Sequence, residues 1–205
     1  SWQLVFRGVL YSFALITFIL AFILISPWGN WLGIFKKSIL LNVVYLGIGV
    51  GFAEEVIFRG WLLGEMNYLF GKRLGLVIQS FIFGFVHISF ESEIWPSFGL
   101  FAGLFLFGSV LALLRKIDNG FLWGCIGLHG GLVSTWFLIS SGLVEFSGDI
   151  PGWLFGPGGN SLNPIGGLFV IFTLALIIAF QRTALAIAGR PSKGARNASS
   201  SGARP

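Results

Sequence analysis

An all-α membrane protein, a polytopic bundle of about six transmembrane helices, is the fold class this sequence predicts. Three observations predict it. Of the 205 residues, 55% are hydrophobic and only 10% charged, against about 25% charged in soluble domains. The apolar residues gather in runs of about 17–25, the length a helix needs to cross ~30 Å of hydrocarbon. The runs are continuous rather than alternating, which favours helices over a membrane barrel.

The runs cover roughly residues 8–27, 38–64, 74–90, 97–114, 120–142 and 165–181. The first lacks a small-x-small cleavage site at its end, so it reads as an uncleaved span rather than a signal peptide. The second contains the charged stretch GFAEEVIFRG, residues 51–60, and the third ends in FIFGFVHISF. The fourth closes on Arg115 and Lys116, and the fifth holds GCIGLHGGLVSTWF. Residues 142–164 are rich in Gly and Pro and read as a partly buried or interfacial loop. Pro27, Pro96, Pro151, Pro157 and Pro164 fall between the runs, where a missing N–H breaks no helix. The chain thus divides into a transmembrane domain, 1–182, and a disordered basic tail rich in Ser, Gly and Ala, 183–205.

Charge sets the orientation. In a six-span chain Arg7, Lys72, Arg73, Arg115, Lys116 and Arg182 share one side. Lys36 and Lys37 fall on the other, with Glu91, Glu93, Glu145 and Asp149. The bias places both termini in the cytoplasm of a multi-pass protein in a bacterial-type plasma membrane or an internal membrane. The net charge of +5 comes largely from the tail and short loops. It forms no aromatic-basic groove, and no nucleic-acid partner is expected. A single cysteine, Cys125, excludes an intrachain disulfide and a Cys-rich zinc site.

Ionised groups in an apolar span are costly and mark a functional site by default. Glu55 and Arg59 are spaced i,i+4 and lie on one helix face, where they can pair. Glu54 is rotated by about 100° and stays available. The only two histidines, His87 and His129, also lie in apolar runs. Counted from the basic ends at 1.5 Å per residue, Glu54 and His129 lie ~15 Å deep and His87 ~20 Å. Three spans therefore bring a carboxylate and two imidazoles to similar levels. Gly84, Gly127, Gly130 and Gly131 let those helices approach closely.

Glu54-Glu55-x-x-x-Arg59, Phe83-x-x-x-His87 and the later His129 resemble the motif set of the CAAX-processing and bacteriocin-processing (CPBP, or Abi) intramembrane proteases. The resemblance runs from about residue 40 to 140. It implies peptide-bond hydrolysis in the membrane, with Glu54, Glu55, Arg59, His87 and His129 as the catalytic set. Glu54 would be the general base and Glu55 would pair with Arg59. His87 would orient the water, and His129 would donate to the oxyanion. Glu54, His87 and His129 are also the candidate ligands of a catalytic Zn2+, so metal-held and glutamate-held water both stay open. The chain departs from the family at Val133, where Asn or Asp is usual four residues after the histidine; Ser134 and Thr135 adjoin it. The implied partner is a membrane-associated protein or peptide, with prenylated CAAX substrates one theme. A non-catalytic membrane scaffold or assembly factor on the same fold is the alternative. A proton-linked transporter fits less well, since no two-half symmetry is visible.

Overall fold

The computed structural model describes residues 1–88, 94–156 and 162–189, the side chains of 94–96 excepted. Five of its helices are long and apolar enough to cross a membrane: Trp2–Ile25, Lys37–Val86, Ser97–Ile117, Trp123–Leu143 and Leu168–Ala188. The chain is an all-α polytopic membrane protein. The six apolar runs fall on five elements because the second and third share one 50-residue helical stretch.

The first helix, α1, spans Trp2–Ile25. The long stretch opens with a 3-10 turn, Lys37–Ile39, and continues through α2 (Leu40–Val44), a π-helical segment Tyr45–Val50 and α3 (Gly51–Glu55). A second π-helical segment, Val56–Leu62, leads into α4 (Leu63–Val86). Within α4 the chain reverses at Gly71, with φ 78° and ψ 160°, a conformation that costs glycine little and other residues much. Met66 and Asn67 meet Gly75 across this bend. Farther from it, Phe58 meets Phe83 edge to face and Glu54 bonds with His87. These pairs straddle Gly71 almost symmetrically, so the stretch is an antiparallel helical hairpin closed by a single residue. No loop separates its arms, which is why two runs form one element.

The rest of the bundle is α5 (Ile94–Ile117), α6 (Trp123–Leu138) with a π-helical extension Ile139–Leu143, and α8 (Leu168–Ala188), preceded by the short α7 (Gly152–Phe155). Helix α6 packs along α1, and α5 packs between α4 and α8. A core of Ile16, Ile19, Phe83, Phe107, Leu111 and their neighbours fills the centre.

Two boundaries differ from the sequence expectation. Part of 142–164 is strand: β1 (Gly29–Trp31) and β2 (Val144–Phe146) form an antiparallel ribbon pairing Asn30 with Glu145. Val144 and Phe146 alternate inward around exposed Glu145, a strand pattern too short to register among the glycines. Helix α8 also runs past 182 to Ala188, because TALAIA carries apolar residues on. Glu91, Glu93, Pro157 and residues 190–205 of the expected tail lie outside the described residues.

Close backbone approach holds the hairpin to α6. A Cβ at Gly51 would stand 2.6 Å from Gly130 Cα and 2.9 Å from Gly130 N, inside any permitted contact. Gly51→Ala is therefore expected to lower stability in detergent by about 1–3 kcal/mol, as overpacking does. Gly64→Ala, with nothing within 4 Å of its Cβ, should leave the melting temperature unchanged or slightly higher. Equal melting temperatures for the two variants would show that this contact does not hold the helices together.

Candidate active site

Glu54 and Glu55 lie at the end of α3, between the two π-helical segments. A π turn takes in an extra residue and rotates the helix beyond it, and such turns favour functional sites. Between them, the adjacent carboxylates diverge by the ordinary step of about 100°. Glu55 has no exposed side-chain surface, whereas Glu54 keeps 25%.

Glu55 Oε1 accepts from Arg59 Nη1 at 2.9 Å and from His129 Nδ1 at 2.7 Å. The i,i+4 pair expected from the sequence is present; the bond to His129 is an addition that spacing could not reveal. A carboxylate paired with arginine only accepts, so Nδ1 of His129 carries hydrogen and Nε2 is turned outward. Nε2 lies 3.8 Å from Glu54 Oε2.

His87 caps α4 one residue past Val86. Its Nδ1 donates to the Phe83 carbonyl at 2.7 Å, the i−4 spacing noted in the sequence. Its Nε2 lies 3.1 Å from Glu54 Oε2. With Nδ1 donating to a carbonyl, the contact between Nε2 and Glu54 needs one further proton, which either partner can hold. Glu54, His87 and His129 thus meet at a single carboxylate oxygen, the convergence expected from their depth.

Phe83 supplies the platform. Its ring is 1% exposed. It lies 4.1 Å from the Arg59 guanidinium carbon, 4.6 Å from the His87 ring centre and 5.9 Å from that of His129. Arg115 Nη1 donates to the Arg59 carbonyl from α5. This contact ties the π segment to α5. Sequence reasoning placed Phe83 only in a motif and missed Arg115. The i,i+4 relation to His87 was the available signal for the first, and none existed for the second.

Glu54, His87 and His129 lie on the wall of a cavity of about 600 Å³, otherwise mainly apolar. Val133 also lines it, offering methyl groups where a polar side chain could have reached. Ser134 does not substitute, since its hydroxyl donates to the Gly130 carbonyl at 2.7 Å. As a zinc site the cluster has a suitable donor set, two imidazole nitrogens and a carboxylate. Among the described residues, however, no three His, Cys, Asp or Glu side chains are gathered as one ion requires. Glu54 instead bonds directly with His87.

The family model described as Type II CAAX prenyl endopeptidase Rce1-like matches residues 36–135. No curated protein and no solved structure matches the chain. The matched segment contains the whole hairpin, α5 and the part of α6 that bears His129, and so every member of the cluster. Over that segment the chain is similar to the Rce1-like family, in keeping with the resemblance to the CPBP family that its motifs carry.

Proposed function

We propose that the chain is an intramembrane endopeptidase. It hydrolyses a peptide bond of a membrane-associated protein or peptide, prenylated CAAX-type substrates among them, with water activated by Glu54 and the two histidines. The observation that carries this reading is the approach of both Nε2 atoms to one carboxylate oxygen, at 3.1 and 3.8 Å, on a cavity wall.

The chemistry rests on the donors and acceptors present. A water between Glu54 and the substrate gives a proton to Glu54 as its oxygen bonds to the carbonyl carbon. His87 shares that proton through Nε2, its ring held by the bond from Nδ1 to Phe83. His129 meets the developing oxyanion from Nε2. Donation there requires a doubly protonated ring, and Glu55 is the counterion beside it. When the carbon–nitrogen bond breaks, Glu54 returns its proton to the leaving amine, and carboxylic acid and amine depart. Glu55 and Arg59 touch neither water nor substrate; they position His129. Val133 adds no second oxyanion donor, so His129 carries that task among the cavity's described side chains.

Val133 also favours the second reading, a scaffold on a protease fold. The two readings separate cleanly. Glu54→Gln keeps shape and hydrogen-bonding capacity but removes the base. It is expected to lower cleavage in a reconstituted assay by about 10²–10⁴-fold, with little change in melting temperature. Full activity would remove Glu54 from the mechanism. A cellular phenotype that survives loss of both Glu54 and His87 would select the scaffold.

Arg59→Met strands the Glu55 carboxylate in the interior. A loss of about 3–5 kcal/mol in unfolding free energy is expected, measured by denaturation in detergent. Adding Glu55→Gln should recover part of it.

Turnover in the presence of a strong chelator tests the water-only site. Unchanged rates are expected. Inactivation reversed by added zinc would replace this mechanism with a metal-held water.

A further inference from the structure

We propose that Phe107 of α5 is a positioning residue for His129. Together with Phe83 it fixes the plane of the imidazole, and so the direction in which Nε2 points. Its effect on turnover rests on the protease reading; its hold on the ring does not.

Helix α5 carries no ionisable side chain before Arg115, so no charge marks it as part of the site. Packing does. Leu104, Phe107, Gly108 and Leu111 recur at i, i+3, i+4 and i+7, one stripe of a helix, and all four are buried. Gly108 sets the distance to the hairpin. A Cβ there would stand 3.2 Å from Ser80 Cα and from Phe83 Cδ1, and 3.4 Å from Arg59 Nη2. Helix α5 thus approaches α4 to a separation that a side chain would crowd. Beside it, Ser109 Oγ donates to Ser80 Oγ at 3.1 Å. This seating brings Phe107, one residue earlier, to the cavity wall it shares with His129.

The Phe107 ring centre lies 5.4 Å from that of His129, with the planes at 83°. Phe83 meets the same imidazole at 5.9 Å and 79°. The two phenyl rings lie 6.4 Å apart, inclined at 52°. Near-perpendicular placement at such distances is a preferred aromatic geometry. A hydrogen bond holds another part of the imidazole, from Nδ1 to Glu55 at 2.7 Å. Such a bond weakens steeply only below about 120°. On its own it lets the ring tilt, and Nε2, across the ring, moves most. Two phenyl rings against the imidazole remove that tilt, and a side chain locked by packing keeps a productive geometry. The stake is large, because a displacement of ~1 Å can cost ~10²-fold in rate. Phe83 also touches Arg59 and His87, so its loss disturbs several groups at once. The described ring contacts of Phe107 are with His129 and Phe83, so its replacement singles out the clamp.

Phe107→Leu keeps apolar bulk and removes the flat ring. Two measurements read it in the full chain, with melting temperature as the check on folding. Phe107→Met fills the same gap if Leu unfolds the protein. The first measurement is NMR relaxation of the His129 ring in detergent, its signal identified against His87→Gln. It needs no substrate. The ring order parameter is expected to fall by at least about 0.2 in Phe107→Leu; equal rigidity in the two proteins overturns the proposal. The second is cleavage of a farnesylated CAAX-type peptide in reconstituted vesicles. A drop of about 10–100-fold in kcat is expected, with KM within about threefold. A raised KM at unchanged kcat makes Phe107 a wall of the cavity only and overturns its positioning role. A ring that loosens on substitution while the parent cleaves nothing supports the clamp and removes the protease reading.

Discussion

Glu55 and Arg59 have no exposed side-chain surface, so neither charge can be left to water. Each needs the other, because an unpaired ion in the interior is far costlier than a paired one. Much of the site's geometry stems from this requirement. The carboxylate oxygen that accepts from Arg59 also accepts from His129, and so fixes which ring nitrogen faces the cavity. The guanidinium lies on the face of Phe83, a favourable cation–π geometry. Phe83 in turn offers the carbonyl that orients His87. One ion pair thereby organises two imidazoles on two other helical segments, with Glu54 between them.

Adjacent residues on a regular helix differ in direction by about 100°. That angle is enough to put one carboxylate inside the core and the next on a cavity wall. Arg59 reaches back one turn to Glu55 from the second π-helical segment while the helix continues toward Gly71. Arg115 grips the Arg59 carbonyl there. A bond from a second helix thus supports the residue on which the ion pair depends, as a precise site requires.

The membrane class was legible because apolar run length and charge deficit report directly on the solvent a helix meets. The site residues were legible because charge in such runs is rare: Glu54, Glu55, Arg59, His87 and His129 stand out without any structure. Their common level was legible too, since helical rise is nearly constant and the three side chains do meet. Other features depend on tertiary contact. Nothing in the spacing of Glu55 and His129 says they touch. Arg115 reads as a charge at a membrane boundary, and only the fold shows it reaching Arg59. The reversal at Gly71 hid in a helical pattern, and the β1–β2 ribbon, three residues a side, was below the reach of periodicity.

The hairpin about Gly71 has a consequence for biosynthesis. Glu54 and His87 come together through a local fold, whereas His129 and its partner Glu55 are separated by a long intervening chain. Local contacts form before distant ones, and a nascent chain emerges N-terminus first. A ribosome-bound intermediate can thus hold Glu54 beside His87 before His129 has arrived. The cluster is complete only when α6 docks, so a half-made chain carries an unfinished site.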